Sequence, residues 1–362
     1  VLQSPATDPN PACGEAAIEV FTDIRSLSLA EVPEQARRVE AMGFDGLLFN
    51  ETVSDPFLAA TLAAEHTQGM RLGTSIALAF PRSPMAMAYT CWGLQALAHG
   101  RFHLGLGSQV RGHMERRFSV PWSAPAARMG GYVKALKAIW DCWQNGTALS
   151  YQGQHYSFSL MTPFFNPGPL EHATPQVYVA AVGPVMCRVA GEAADGVLLH
   201  SLVSAKYVHE VVLPNLEQGA SRAGKTLGDL TIGGGGFIIV SDDQESLRRS
   251  YEAARQRIAF YASTPAYRVV MEVHGWGAVA DQLRQLSFES RWDEMPRLVT
   301  DEMMAVFCVV GSRGEIAAQL RKRYGDHATR ITIPLPEDLG REDTWLREVV
   351  QALHGAGVPS AA

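Results

Sequence analysis

Along most of the chain, short apolar runs alternate with stretches in which apolar residues recur at helical spacing. Residues 17–22 (AIEVFT) read as a strand, and 29–42 read as a helix that stops at Gly43. Further strands are predicted at 44–50 (FDGLLFN), 71–80 (RLGTSIALAF), 101–107 (RFHLGLG), 176–181 (QVYVAA), 196–200, 236–240 and 329–335 (TRITIPL). Helices are predicted between them at 57–68, 84–99, 126–143, 185–193, 204–223, 244–261 and 314–324, with a last one at 344–354.

Eight strands separated by helices is the pattern of a closed parallel (β/α)8 TIM barrel. A doubly wound sheet gives the same alternation, but no GxGxxG fingerprint follows the first strand. Two insertions break the rhythm, after strands 4 and 7. Residues 146–174 carry a small hairpin at 151–158 (YQGQHYSF), turning at a glycine. Residues 263–307 are mostly helical with no clear strand. The run GGGG at 233–236 places the seventh strand in the apolar FIIV that follows it.

Composition narrows the class. The 362 residues are 47% hydrophobic and 19% charged, which excludes disordered, fibrous and coiled-coil readings. A net charge of −6 leaves no footprint for nucleic acid or an anionic membrane. No apolar run is long enough to span a bilayer. Residues 1–14 lack the basic and apolar regions of a signal peptide, and their prolines predict a mobile tail over 1–15 ahead of a single barrel domain over 16–362. The five cysteines are scattered without CxxC spacing, so neither disulfides nor a metal centre is indicated, and a cytoplasmic location is expected.

In such a barrel the chemistry sits at the C-terminal ends of the strands. Here those ends carry Thr22 and Asp23, Asn50 to Thr52, Ser75 to Ala77, Gly107 to Gln109, Ala181 to Gly183, and His200 with Ser201. The set is small and polar. It holds no His–carboxylate metal cluster, no GxSxG elbow and no strand-end lysine. It suits a ligand that brings its own chemistry. Ala181-Val182-Gly183-Pro184 links a strand to a helix, so small residues and free amides could receive a phosphate; tight packing is the competing explanation. Gly105, Gly107 and Ser108 open the loop after strand four in the same way. Arg111, His113, Arg116 and Arg117 follow, as either a ligand loop or a solvated helix face.

The motifs GFDGLLFNE, GTSIALAFPRSP, AHGRFHLGLGS and VYVAAVGP, in this order, resemble the luciferase-like monooxygenase superfamily, and most closely its coenzyme F420-dependent oxidoreductase branch. The resemblance spans about residues 17–240, with the last strand and helix fitting the same barrel. It implies a flavin or deazaflavin bound across the strand ends, with a non-prolyl cis peptide at Ser75-Ile76 behind the ring. It further implies cofactor contacts from Gly107, Ser108 and His113, a phosphate cradle at Ala181, Val182 and Gly183, and His200 near the cofactor tail. Without the resemblance, Ser75 reads as an inward barrel residue and His200 as a hydrogen-bonded strand end.

Sugar-phosphate dehydrogenases of this superfamily carry an Asp-His pair after strand two; Glu51-Thr52 stands here. Thr52 is no base near neutral pH, which leaves Glu51 as the candidate catalytic proton carrier, or as a structural partner of Asn50 or a backbone amide. Val110 stands where those dehydrogenases carry an acid. The resulting expectation is hydride transfer between F420 and a small organic substrate, in a homodimer. Its competitors are an FMN-dependent monooxygenase using oxygen and a non-catalytic ligand-binding barrel.

Overall fold

A computed structural model describes residues 18–24, 28–335 and 344–355; the tail expected over 1–15 lies outside them. Eight parallel strands close a barrel, labelled here β1 (Glu19–Ile24), β2 (Gly46–Phe49), β3 (Arg71–Thr74), β4 (Phe102–Gly107), β5 (Gln176–Ala181), β6 (Gly196–Leu199), β7 (Thr231–Gly234) and β8 (Arg330–Thr332). Each pairs with its neighbours in chain order, and β8 returns to β1 through Glu19↔Arg330 and Val20↔Ile331. All four residues of β2 and all six of β4 are buried, as expected of parallel strands covered on both faces.

The helices start where the sequence provides caps. The Asp55 carboxylate accepts from Phe57 N, and the Ser83 hydroxyl from Ala86 N, each ahead of a proline in the first turn. Gly146, at φ +67°, ends the long helix Pro125–Asn145. The hairpin appears as expected, Tyr151–Gln152 pairing antiparallel with Ser157–Phe158. It leans on that helix through the Tyr151 hydroxyl, which donates to Gly131 O.

The seventh strand differs from the expectation. It is Thr231–Gly234, while Phe237–Val240 leaves the barrel and pairs with Cys308–Gly311 in a separate two-stranded parallel sheet. β-Propensity favours FIIV over TIGG, but space decides otherwise. A Cβ on Gly233 would come within 2.9 Å of Leu198 Cδ2, and one on Gly235 within 3.0 Å of Thr332 O. The glycines let β7 approach its neighbours, and the branched residues next to them find their own partner strand.

The floor of the barrel, at the N-terminal ends of the strands, holds a cluster of polar groups that largely bond one another, although His103 Nδ1 is buried without a hydrogen-bond partner. Arg330 is fully buried, its guanidinium 4.0 Å from the Phe21 ring centre and 4.9 Å from that of Tyr178. Its Nε donates to Glu19 at 3.2 Å, and Glu19 also accepts from Arg71. His103 lies 3.5 Å from Arg330; burial, reinforced by the Arg330 and Arg71 charges, pushes its pKa well below the usual imidazole range. The ring is therefore neutral. The four cysteines among the described residues are buried free thiols.

Candidate active site at the barrel mouth

The opposite ends of the strands are built differently. Past β3 the chain makes a bulge at Ser75 and Ile76, and the peptide joining them is cis, as the resemblance implied. Three bonds fix this bulge to the end of β2. Ser75 N donates to Phe49 O at 2.9 Å, Glu51 N donates to Ile76 O at 3.3 Å, and Leu78 N donates to the Glu51 carboxylate at 2.7 Å. Behind it, a Cβ on Gly107 would come within 2.5 Å of Ile76 Cδ1, and one on Gly105 within 2.0 Å of Thr74 O. The glycines of β4 are what allow the bulge to lie against that strand.

Glu51 is mostly buried and paired with Arg82, whose Nη1 reaches its carboxylate oxygens at 2.9 and 2.8 Å. Arg82 Nη2 bonds Asp55 at 3.0 Å. Burial opposes the Arg82 charge, but the hydrogen bonds and charges of Glu51 and Asp55 outweigh it and raise its pKa. Of the structural partners expected for Glu51, the backbone amide is present, that of Leu78, while Arg82 was not among them. Asn50 instead donates to Asp23 at 3.1 Å. Thr52 is exposed, and its carbonyl accepts from Arg117, tying the loop after β4 to the loop after β2.

Ala181 is buried at the end of β5, and Gly183 precedes the helix Pro184–Ala193. A Cβ on Gly183 would meet nothing within 4 Å. Pro184 has no N–H and Cys187 N is the first amide of this helix to bond back, to Gly183 O, so the Val185 and Met186 amides have no partner within the helix. The Val182 carbonyl is fixed by the Tyr207 hydroxyl at 2.9 Å.

The register Ala181↔Leu199 places His200 one residue beyond Ala181 on the neighbouring strand. Its Nδ1 accepts from Leu202 N at 3.0 Å. The ring stacks on Tyr267 at 4.3 Å and meets the edge of Tyr261 at 4.5 Å. Burial, with the Arg257 charge acting in the same direction, pushes its pKa down to about 4. At neutral pH the ring is uncharged, and its accepting Nδ1 assigns the proton to Nε2, a hydrogen-bond donor at the rim.

The loop after β4 is only partly committed to itself. Ser108 is half-buried and donates to Gln109 O at 3.2 Å, and Gln109 adopts φ +57°. Arg111 pairs with Glu115 at 3.0 Å on the exposed face of a single short helix, while His113 is exposed beside them. Arg111, His113 and Arg116 thus lie on an exposed helix face, the second of the two alternatives read from the sequence.

The structure therefore gathers Glu51, Ser75, Ile76 and Gly107 into one wall, and Ala181, Val182, Gly183 and His200 into a second. Sequence reasoning missed Arg82, which clamps Glu51, and Tyr207, Tyr261 and Tyr267, which hold the second wall. Arg82 lay within the quoted motif, but nothing in a linear pattern pairs it with Glu51. Among the aromatics of the two insertions, Tyr151 and Tyr156 bond the helix Pro125–Asn145, Trp276 stacks on His274 at 4.6 Å, and Phe164 and Phe165 are exposed. A surface cleft lined by Leu247, Tyr251 and Val310 lies away from the strand ends.

Comparison with known proteins agrees with this architecture. An uncharacterized protein of Mycobacterium tuberculosis is 45% identical over 303 residues, covering 84% of this chain and 89% of that one. The 5,10-methylenetetrahydromethanopterin reductase of Archaeoglobus fulgidus is 25% identical over 314 residues, covering 84% and 90%. The solved coenzyme F420-dependent tetrahydromethanopterin reductase of Methanopyrus kandleri superposes with a TM-score of 0.74 at 18% identity, covering 94% and 98%. The model of the luciferase-like monooxygenase family matches residues 14–330, and the chain belongs to that family.

Proposed function

We propose that this protein is an oxidoreductase that holds a deazaflavin of the F420 type at the barrel mouth and passes hydride between it and a small organic substrate. The observation that carries this reading is the open cradle at Gly183, where a helix start with free amides faces space beside a neutral His200 donor. The sequence likeness to a methylenetetrahydromethanopterin reductase supports it. The cofactor supplies the redox chemistry when bound.

The chain's own residues would bind and orient. Ala181, Val182 and Gly183 receive the phosphate, and Val182 is kept in place by Tyr207. Ser75, Ile76 and Gly107 form the wall behind the ring, and Ser108 and His113 contact the cofactor from the loop after β4. His200 would donate through Nε2 as a neutral group, offering the cofactor a hydrogen bond without added charge. We assign Glu51 a positioning role, because its carboxylate is engaged by Arg82 and Leu78 N and holds the bulge to β2. A homodimer built on the helices after β2 and β3 remains part of this reading, by resemblance to the family.

Separate titrations of the purified protein with F420 and with FMN, followed by fluorescence, test the proposal. F420 should bind, and Gly183→Ala should weaken it at least about tenfold while leaving the melting temperature unchanged. Binding of FMN alone would replace this reading with a flavin monooxygenase. Binding of neither would leave a barrel for another ligand.

A further inference from the structure

Away from the mouth, three potential metal ligands meet across the outside of the barrel. His209 lies in the helix after β6, within a π-helical turn, Val208–Val212. Asp326 and His327 lie in the connection that leads into β8. His209 Nε2 is 2.9 Å from Asp326 Oδ2, and His327 Nδ1 is 2.5 Å from Asp326 Oδ1. The ligand atoms of the three residues all lie within 4.8 Å of one another.

We propose that His209, Asp326 and His327 form a binding site for a divalent transition-metal ion of the Zn2+ class. Two imidazoles and one carboxylate are ligands such ions accept, at about 2.0–2.2 Å. A tetrahedral ion at those bond lengths sets its ligand atoms about 3.3 Å apart. The two hydrogen-bonded pairs are slightly closer than that, so small side-chain rotations open the group around an ion.

The three residues are unequally free to make them. The His327 side chain is only 2% exposed and its ring meets Tyr324 and His209 edge-on, which makes it the fixed ligand. His209 and Asp326 are largely exposed and supply the adjustment. Their outward side leaves a coordination position for water. Arg323, the nearby cation, donates its guanidinium to Val306 O. Its charge opposes the ion, and the Asp326 carboxylate offsets it. π-Helical turns recur at functional sites, and this one carries the ligand that comes from another part of the chain. An ion here would join the helix after β6 to the segment before β8.

The test uses full-length protein, freed of any affinity tag and stripped of metal. Dialysis against Zn2+ should load one equivalent per chain, Co2+ should give the visible bands of a low-coordinate nitrogen–oxygen site, and Zn2+ should raise the melting temperature. His209→Ala and Asp326→Asn, both exposed and so harmless to folding, should each lower affinity at least about tenfold and abolish the thermal shift. His172→Ala, at the separate His99–His172 contact, should leave the stoichiometry unchanged. Failure of the stripped protein to bind Zn2+, or loading that survives both ligand substitutions, would overturn the proposal.

Discussion

The two ends of the barrel are both polar inside, yet they spend their polarity in opposite ways. At the floor, Arg330, Glu19, Arg71 and His103 face one another, and two aromatic rings cover the buried guanidinium. At the mouth, Glu51 and Arg82 neutralise each other within the wall, while among the described residues the helix-start amides after Gly183 and His200 Nε2 have no such mutual partners. Charges that pair around a buried guanidinium fix one packing arrangement. Polar groups left facing space can serve a ligand. Substitutions at the floor should therefore cost stability, and substitutions at the mouth should cost binding.

The largest effect expected is at the floor. Arg330→Ala removes a fully buried guanidinium and should destabilise the protein by about 3–5 kcal/mol in urea unfolding. A smaller loss would mean that the floor carries less of the fold than its geometry implies.

The acid limb of stability comes next. His200 titrates at about 4 when folded and near the ordinary imidazole value of about 6.5 when unfolded. Below about 6.5 the unfolded chain therefore binds more protons, so stability present above that pH is lost as pH falls towards 4. The full difference corresponds to about 3 kcal/mol. His200→Phe keeps an aromatic on Tyr267 and should flatten this limb by that order, measured as unfolding free energy against pH. His103 is depressed in the same direction and will leave a residual slope.

Gly105→Ala drives a Cβ towards a backbone oxygen that cannot yield, and should cost about 1–3 kcal/mol. The smallest effect on stability belongs to Gly183→Ala. Its φ of −73° suits alanine and its surroundings are empty, so unfolding should change by less than about 0.5 kcal/mol. If it destabilises the fold by several times that, the cradle is packing rather than a binding surface. The contrast between ends would then be lost at its most sensitive point.

Much of this was legible in the linear pattern. The eight-strand alternation gave seven barrel strands within a few residues, because parallel strands covered on both faces read as apolar runs and their helices keep a helical period. The motif around Ser75 marked the bulge, and Ala181 to Gly183 marked the helix start. The seventh strand was misplaced, because side-chain preference at 236–240 outweighed the room that only glycine leaves. Cys308–Gly311 went unseen because its partner strand had been assigned to the barrel. Homology could not show what Glu51 touches, since Arg82 reaches it across a loop.

By itself, then, the chain's order of apolar and polar residues determined which segments become strands and helices, and hence that a barrel with a polar, weakly charged mouth forms. Those features depend on local periodicity and on residue size, which any window of the sequence carries. Only the tertiary structure decided which charges meet: Arg330 with Glu19, Arg82 with Glu51, His209 with Asp326. Such pairings depend on distances between residues far apart in the chain. Those distances exist only after the barrel has closed.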